Sequence, residues 1–309
     1  MDWTVGAADA GVRLDKYLAA AERLGSRGKA LAAIERAKIF VNDTEATDGA
    51  RRLNEGDAVR VWMDRPGSAK ARSRAVRVGD LQIVFEDDAL LVVNKPAGLL
   101  AVPLERKAEA PSVYDLLEDH FRSRGKRRPF VVHRIDRDTS GLVVFAKDAR
   151  AQTALKEQFR RREPERVYWA VVYGHPDPPN GIWRDHLVWD TKALIQKEIH
   201  RNDPRASEAI SAYRVLERFR DASWIEVRLQ TGKRNQIRIQ ARLRGHTLVG
   251  EKRYVFGPDE LRPIGFERQA LHARRLAFRH PLDGRPLTFE APPPADFEAL
   301  VARLRTSSS

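Results

Sequence analysis

From residue 80 onward the chain is built mostly of short strand-like runs with few helices between them, and that ratio limits what it can fold into. The stretch "LQIVFEDDALLVVNKPAGLL" (81–100) reads as two strands joined through Asp87-Asp88 and closed by a Pro-Gly loop. Further runs of β-branched and aromatic residues bounded by turn residues occupy 130–133, 142–146, 167–174, 183–189, 209–217, 222–230 and 270–278. Helical spacing is confined to "SVYDLLEDHFRSR" (112–124), with Val113, Leu116, Leu117 and Phe121 on one face, and to 148–160, 235–244 and 295–305. A doubly wound parallel sheet needs a helix for nearly every strand. The sequence therefore predicts an α+β fold, a large mixed, mainly antiparallel sheet with flanking helices.

Residues 12–63 form a different unit. Leu14, Tyr17, Leu18 and Ala21 fall at helical spacing, as do Leu31, Ile34 and Ala37, with Ser26 as a cap between the two helices. The segments "KIFVN" and "DAVRVWM" then read as strands, which makes a small α+β domain. Gly, Ser and basic residues follow without periodicity. The expected organisation is a small domain over 1–64, a basic linker over 65–79 and a large domain over 80–309.

Charge points to the partner. The formal net charge is +13, an excess that attracts polyanions at long range. It is also clustered: "RPGSAKARSRAVR" (65–77) and "RSRGKRRP" (122–129) each carry five basic residues and no acid. A solvated charged face mixes signs, so one-signed blocks favour phosphate contact. Nucleic acid is the expected partner. Cysteine is absent, which removes disulfides, thiolate nucleophiles and thiolate metal sites, and the eight histidines lack metal-ligand spacing. No apolar run is long enough to cross a bilayer and no signal peptide opens the chain, so the expected location is the cytoplasm, away from membranes.

One polar insert interrupts buried-strand sequence. "HRIDRDTSGL" (133–142) lies between "FVV" and "LVVFA". Asp136 stands between Arg134 and Arg137, and nearby positive charge favours the carboxylate over the acid. Such a carboxylate serves as nucleophile or electrostatic stabiliser, presented by the Thr139-Ser140-Gly141 turn at the edge of a sheet. A salt-bridged surface turn is the plain alternative.

The segment "HRIDRDTSGLVVFAK" (133–147) closely resembles the active-site segment of the RluA-type family of RNA pseudouridine synthases. Four more segments resemble that family in the same order: "FEDDALLVVNKPAGLL", "ERVYWAVVYG", "LQTGKRNQIRIQARLRGHTLVGEKRY" and "LHARRLAFRHPLDGRPLTFEAPPP". The N-terminal "RLDKYL", "SRGKALAAIERAKIFVN" and "LNEGDAVRV" are similar to the αL RNA-binding module shared with a small-subunit ribosomal protein. The resemblance implies an isomerase that converts uridine in structured RNA to its carbon-linked isomer without a cofactor. It implies Asp136 as the essential residue, Tyr168 as the aromatic on the target base and Arg238 as the bidentate partner of Asp136. RNA contacts are expected from Arg134, Arg137 and Lys95, from Arg13, Lys16, Ser26, Arg27 and Lys29 in the module, and from Arg124, Lys126, Arg127 and Arg128 in the basic block. Large-subunit ribosomal RNA is the expected substrate and a monomer the expected state.

The chain departs from the family pattern at Asn235 and Gln240, where histidines are common, at Lys233 for Arg, and at Glu251 for Asp. None of these is expected to touch Asp136, Tyr168 or Arg238. Two other readings compete: a catalytically inactive RNA-binding or assembly factor of the same fold, and a synthase acting on transfer RNA. A glycosidase would need a second carboxylate, for which Asp138 is the nearby candidate.

Overall fold

A computed structural model describes residues 1–35, 38–61, 81–103, 111–122, 128–255 and 262–307. The chain divides into two compact units, Met1–Ala75 and Val76–Ser309. The first holds strands β1 (Asp2–Thr4), β2 (Ile39–Val41), β3 (Thr44–Glu45) and β4 (Ala58–Val61) and helices α1 (Leu14–Leu18) and α2 (Arg27–Glu35). The strands form one antiparallel sheet in the order β1-β4-β2-β3. Leu14, Tyr17 and Leu18 from α1 and Ala30, Ala33 and Ile34 from α2 bury against Ile39, Val41, Val59 and Val61. The Ser26 hydroxyl accepts from the Lys29 backbone N–H at 3.3 Å and opens α2. Two expected core positions differ. Leu31 is 39% exposed, and Ala21 lies in the exposed turn after α1 ends at Leu18. Ala37 and the linker lie outside the described residues.

The second unit is built on an eleven-stranded sheet among the described residues. Its strands are β5 (Gln82–Glu86), β6 (Leu90–Lys95), β7 (Phe130–Val131), β8 (Ser140–Ala146), β9 (Glu165–Tyr173), β10 (Asn180–Asp190), β11 (Ile195–Glu198), β12 (Ser207–Arg218), β13 (Ala222–Leu229), β14 (Leu271–Arg279) and β15 (Pro286–Glu290). The order is β11-β10-β12-β13-β9-β14-β8-β6-β5, with β7 beside β8 and β15 beside β14. Every pairing is antiparallel except β14 with β8. The architecture is the mixed, mainly antiparallel sheet expected from the sequence. Strands β11 and β15 fall outside the expected runs because each is only four or five residues long and mostly polar or exposed.

Strand side chains alternate between faces, and the core follows that alternation. Leu91, Val93, Val143 and Phe145 pack in one cluster with α3 (Val113–Arg122) and α5 (Gln236–Leu243). Their sequence neighbours Leu90, Val92, Leu142 and Val144 pack in another with α4 (Ala149–Arg160), where Leu155 is fully buried. Truncating Leu155 to Ala costs about 2–5 kcal/mol by the usual cavity and transfer terms. The C-terminal helix α6 (Ala295–Thr306) buries Phe297, Leu300, Val301 and Leu304 with Val171 and Ala222. Strand β8 is buried at every position, as a strand covered on both faces must be. Gly141 is required where β8 meets β14: its φ is +114°, and a Cβ there would lie 2.2 Å from the Ala273 carbonyl oxygen. That close approach fixes the end of the loop carrying Asp136.

Candidate active site

The loop between β7 and β8 is held from below by two buried cations. Lys95 is fully buried, and its ammonium donates to the carbonyls of Pro96 (2.9 Å), Leu99 (2.8 Å) and Arg137 (2.8 Å). Burial pulls its pKa down to about 7, but three carbonyls at this distance are satisfied by three N–H donors, which the ammonium supplies. Arg268 donates to the Asp138 carbonyl at 3.1 Å and forks Asp296 at 2.7 and 3.0 Å. The loop backbone is thereby fixed while the Asp136 side chain, 25% exposed, faces outward.

Two groups converge on Asp136 from the opposite side, one of them held by a buried carboxylate. Arg238 on α5 donates from Nη1 to Oδ2 at 3.0 Å, and its Nε and Nη2 fork the carboxylate of Glu251 at 2.6 and 2.7 Å. The Glu251 side chain is buried and also accepts backbone N–H groups of Lys252, Arg253 and Tyr254. Burial lowers the Arg238 pKa, but the hydrogen bonds and charge of Glu251, then of Asp136, more than reverse that, so the guanidinium stays charged. Burial likewise pushes Glu251 up, and Arg238 pulls it below its ordinary value. Asn235 completes the set. A carboxylate only accepts, so the amide nitrogen faces Asp136 and donates to Oδ1 at 2.8 Å and Oδ2 at 2.9 Å, while the amide oxygen accepts from the Tyr254 hydroxyl at 3.0 Å. Asn235 opens α5 in the left-handed region, φ 53°, and makes no capping bond with its side chain.

A cleft of about 310 Å³ opens in front of Asp136. Arg134, Arg166, Tyr168, Lys233, Asn235 and Arg238 bring its polar groups, and Phe159, Leu229, Ile237 and Leu271 its apolar wall. Tyr168 is 8% exposed, and burial raises its pKa, so the phenol keeps its proton at neutral pH. His133 also lines the cleft and stacks on Phe159, with centroids 4.7 Å apart. Its Nε2 accepts from the Val144 N–H at 3.1 Å, and burial, then Arg166, lowers its pKa to about 3.

Several sequence expectations change here. Arg137 pairs with Asp138, at 3.0 and 3.1 Å, rather than with Asp136, and Arg134 is exposed at the cleft. The cation on Asp136 is instead Arg238, 102 residues away in sequence. The bidentate fork of Arg238 goes to Glu251, because two carboxylates compete for one guanidinium and the buried one has the stronger need of it. Asn235 and Glu251, expected to stand clear of the site, touch Asp136 and Arg238 directly. Gln240 does not: it is fully buried and ties Ser211, Asp185 and the Trp183 and Ala209 carbonyls beneath α5. Lys95, expected on RNA, has no exposed surface and acts inside the fold. Arg166 is absent from the sequence expectations, since an arginine in a strand carries no sequence signal of burial. In the first unit Arg13 and Arg27 are exposed and both hydrogen-bond the buried Asp15, whose carboxyl Arg13 above all holds down at about 2. Lys16, Ser26 and Lys29 are exposed beside them, and Arg128 is exposed over the Phe130 ring. Arg124, Lys126 and Arg127 lie outside the described residues.

Residues 89–243, which carry all of this cleft's lining but Leu271, match the family described as RNA pseudouridylate synthase, and residues 12–59 match the S4 domain. The chain belongs to the RNA pseudouridylate synthases. An uncharacterized RNA pseudouridine synthase of Synechocystis is 34% identical over 298 residues, 96% of this chain and 90% of that one. A ribosomal large subunit pseudouridine synthase D of Zymomonas mobilis is 38% identical over 239 residues, 74% of each chain. The protein of the same name from Vibrio cholerae is 31% identical over 311 residues, 98% of this chain and 94% of the other. Human RNA pseudouridylate synthase domain containing 4 shares the fold, with a TM-score of 0.58, 23% identity, and coverage of 72% of this chain and 92% of that chain. As an RNA pseudouridylate synthase the protein is an isomerase. Among the described residues no helix is long and apolar enough to cross a membrane.

Proposed function

We propose that this synthase modifies uridine in large-subunit ribosomal RNA, with Asp136 acting at the sugar, Tyr168 at the base and Arg238 holding Asp136. The observation that carries the site assignment is the convergence of Arg238 and Asn235 on one partly exposed carboxylate at the cleft. As the bond between base nitrogen and ribose breaks, positive charge grows on the anomeric carbon, and a carboxylate kept unprotonated and aimed by fixed donors meets it. Tyr168, protonated and facing the same cleft, stacks on the base and stands ready to move a proton at the carbon being joined. The ribosomal assignment is supported by the relatives named ribosomal large subunit pseudouridine synthase D.

The S4 domain over 12–59 supplies sequence-independent affinity through Arg13, Lys16, Arg27 and Lys29, with Ser26 at the helix end. Arg134, Arg137, Arg124, Lys126, Arg127 and Arg128 add phosphate contacts near the catalytic domain, taken as 80–309 after a basic linker over 65–79 and an RNA-binding domain over 1–64. The protein works as a monomer in the cytoplasm. The test is tritium release from RNA labelled at C5 of uridine, using the intact protein and Asp136→Ala on ribosomal and transfer RNA. Release from ribosomal RNA by the first and not the second is expected. Release from transfer RNA alone reassigns the substrate, and release by Asp136→Ala overturns the site.

A further inference from the structure

Arg166 is a buried cation that pairs with no carboxylate among the described residues. It stands on β9 two residues before Tyr168, so both side chains leave the strand on the same face, and both line the cleft. Its exposure is 8%. Among the described residues its hydrogen bonding amounts to one long contact, Nη2 to the Gln230 carbonyl at 3.4 Å, while Nε has no partner. The ring of Phe159 lies 5.6 Å from the guanidinium carbon. No described carboxylate forms an ion pair with it, in contrast to Arg238, which has two. Gly232 makes the space: a Cβ there would meet Nη1 at 2.5 Å. A desolvated, unpaired guanidinium costs stability, and a fold keeps one where a ligand completes it.

We propose that Arg166 takes up the negative charge of the uracil ring while it is detached from the sugar. When the N1–C1′ bond breaks, its electron pair stays on the base, which becomes an anion with charge spread over N1, O2 and O4. The ring turns, C5 supplies the pair for the new C5–C1′ bond, C5 then loses its proton and N1 gains one, so the product is an isomer of the substrate. A cation meeting that anion in a water-poor cleft, already in place before the bond breaks, is worth most where the charge appears.

Exposure separates this cation from Arg134 and Lys233, and the lack of a described carboxylate partner separates it from Arg238. Arg134 is exposed and Lys233 partly so, as suits hydrated phosphates. Arg166 lies beside Phe159 and shares the cleft wall with Tyr168, in a place where a phosphate would have to shed its water and the flat edge of a base would not. The inference rests on the reading of the cleft as the uridine site.

The test compares Arg166→Lys and Arg166→Met with the intact protein and Asp136→Ala. Single-turnover rates are measured on RNA carrying uridine or 5-fluorouridine, as loss of the nitrogen-linked nucleoside after digestion. Fluorine withdraws electrons from the ring and makes its anion less dependent on outside help. Arg166→Met should lose about 10²–10³-fold in rate on uridine, the usual effect of removing one charge-stabilising donor. It should lose less on 5-fluorouridine, bind RNA as tightly as the intact protein, and melt at a higher temperature because the unpaired charge is gone. Arg166→Lys should fall between. An equal loss on both substrates, or a lower melting temperature accompanying the loss, overturns the proposal. Native rates in Arg166→Met with an inert Asp136→Ala sink this inference alone, whereas an active Asp136→Ala removes the cleft assignment beneath it.

Discussion

Glu251 forks Arg238 at 2.6 and 2.7 Å and leaves that arginine a single bond, at 3.0 Å, for Asp136. The buried carboxylate thus sets the angle at which the guanidinium meets the exposed one. Removing it leaves Arg238, 11% exposed, with its charge half compensated. Glu251→Ala should cost about 3–5 kcal/mol of stability, measured by urea unfolding. Glu251→Asp, one methylene shorter, should retain the charge and most of the stability while lowering kcat with little change in KM. Stability within error of the native value in Glu251→Ala would mean that Arg238 finds another partner.

Asn235 sets its amide nitrogen within hydrogen-bond distance of both Asp136 oxygens without adding charge. Hydrogen bonds to a charged group contribute about 1.5–3 kcal/mol each. If they act on the reacting carboxylate, Asn235→Ala should slow single-turnover conversion by about 10–100-fold, since each 1.36 kcal/mol is tenfold in rate. Asn235→Asp should be slower still, because it replaces a donor with a second negative charge at hydrogen-bond distance. Rates of Ala and Asp variants that coincide would show that Asn235 serves only to shape the start of α5.

Much of the fold is legible in the sequence, and the exceptions share a cause. Strands with near-continuous apolar runs, such as β6, β8 and β9, fall within a few residues of their expected positions, and α3 and α4 are marked by their apolar faces. The segment around Asp136 stands out because a charged run between aliphatic strands violates the pattern on either side. Partnership is harder to read. Arg134 and Arg137 are the nearest cations in sequence, yet the turn directs Arg137 onto Asp138 and leaves Asp136 to a helix reached through the sheet. Which carboxylate an arginine forks depends on burial, and burial at Glu251 is set by the fold of residues 248–254 around it. Lys95 misleads for the same reason: a lysine beside a Pro-Gly loop reads as exposed, and only the return of the Asp136 loop over it closes the third acceptor.

That burial separates Lys95 from the surface cations in a binding experiment. Lys95→Met leaves three carbonyls without their donor, and each unsatisfied buried acceptor costs about 1–3 kcal/mol. The variant should melt markedly lower, while the salt dependence of RNA binding, measured below its melting transition, stays unchanged. Replacing Lys16 and Lys29 with Ala should do the reverse, keeping stability and reducing the slope of log affinity against log salt by about 0.7–0.9 for each phosphate that is no longer neutralised. A reduced slope in Lys95→Met would place that ammonium on RNA after all.

Two histidines that the fold holds neutral set a pH limit. His133 accepts the Val144 N–H at Nε2, and its pKa is about 3, lowered by burial and then by Arg166. His272, fully buried, bonds Ser140 at 3.0 Å and the Ala291 carbonyl at 3.1 Å, and burial lowers it to about 4. In the unfolded chain both return to about 6.5. Below that value the unfolded state binds protons that the folded state refuses, so protons favour unfolding and stability falls as pH falls. The loss is about 1.4 kcal/mol per pH unit for each histidine, about 2.7 for the pair, once the pH is well below 6.5. Urea unfolding should therefore weaken steeply between pH 6 and 4.5, before the carboxylates of the unfolded chain take up protons. His133→Gln, whose amide oxygen replaces the acceptor, should halve the slope. A native slope in that variant would mean that His133 charges in the folded state, at the expense of the Val144 bond that holds β8 against the Asp136 loop.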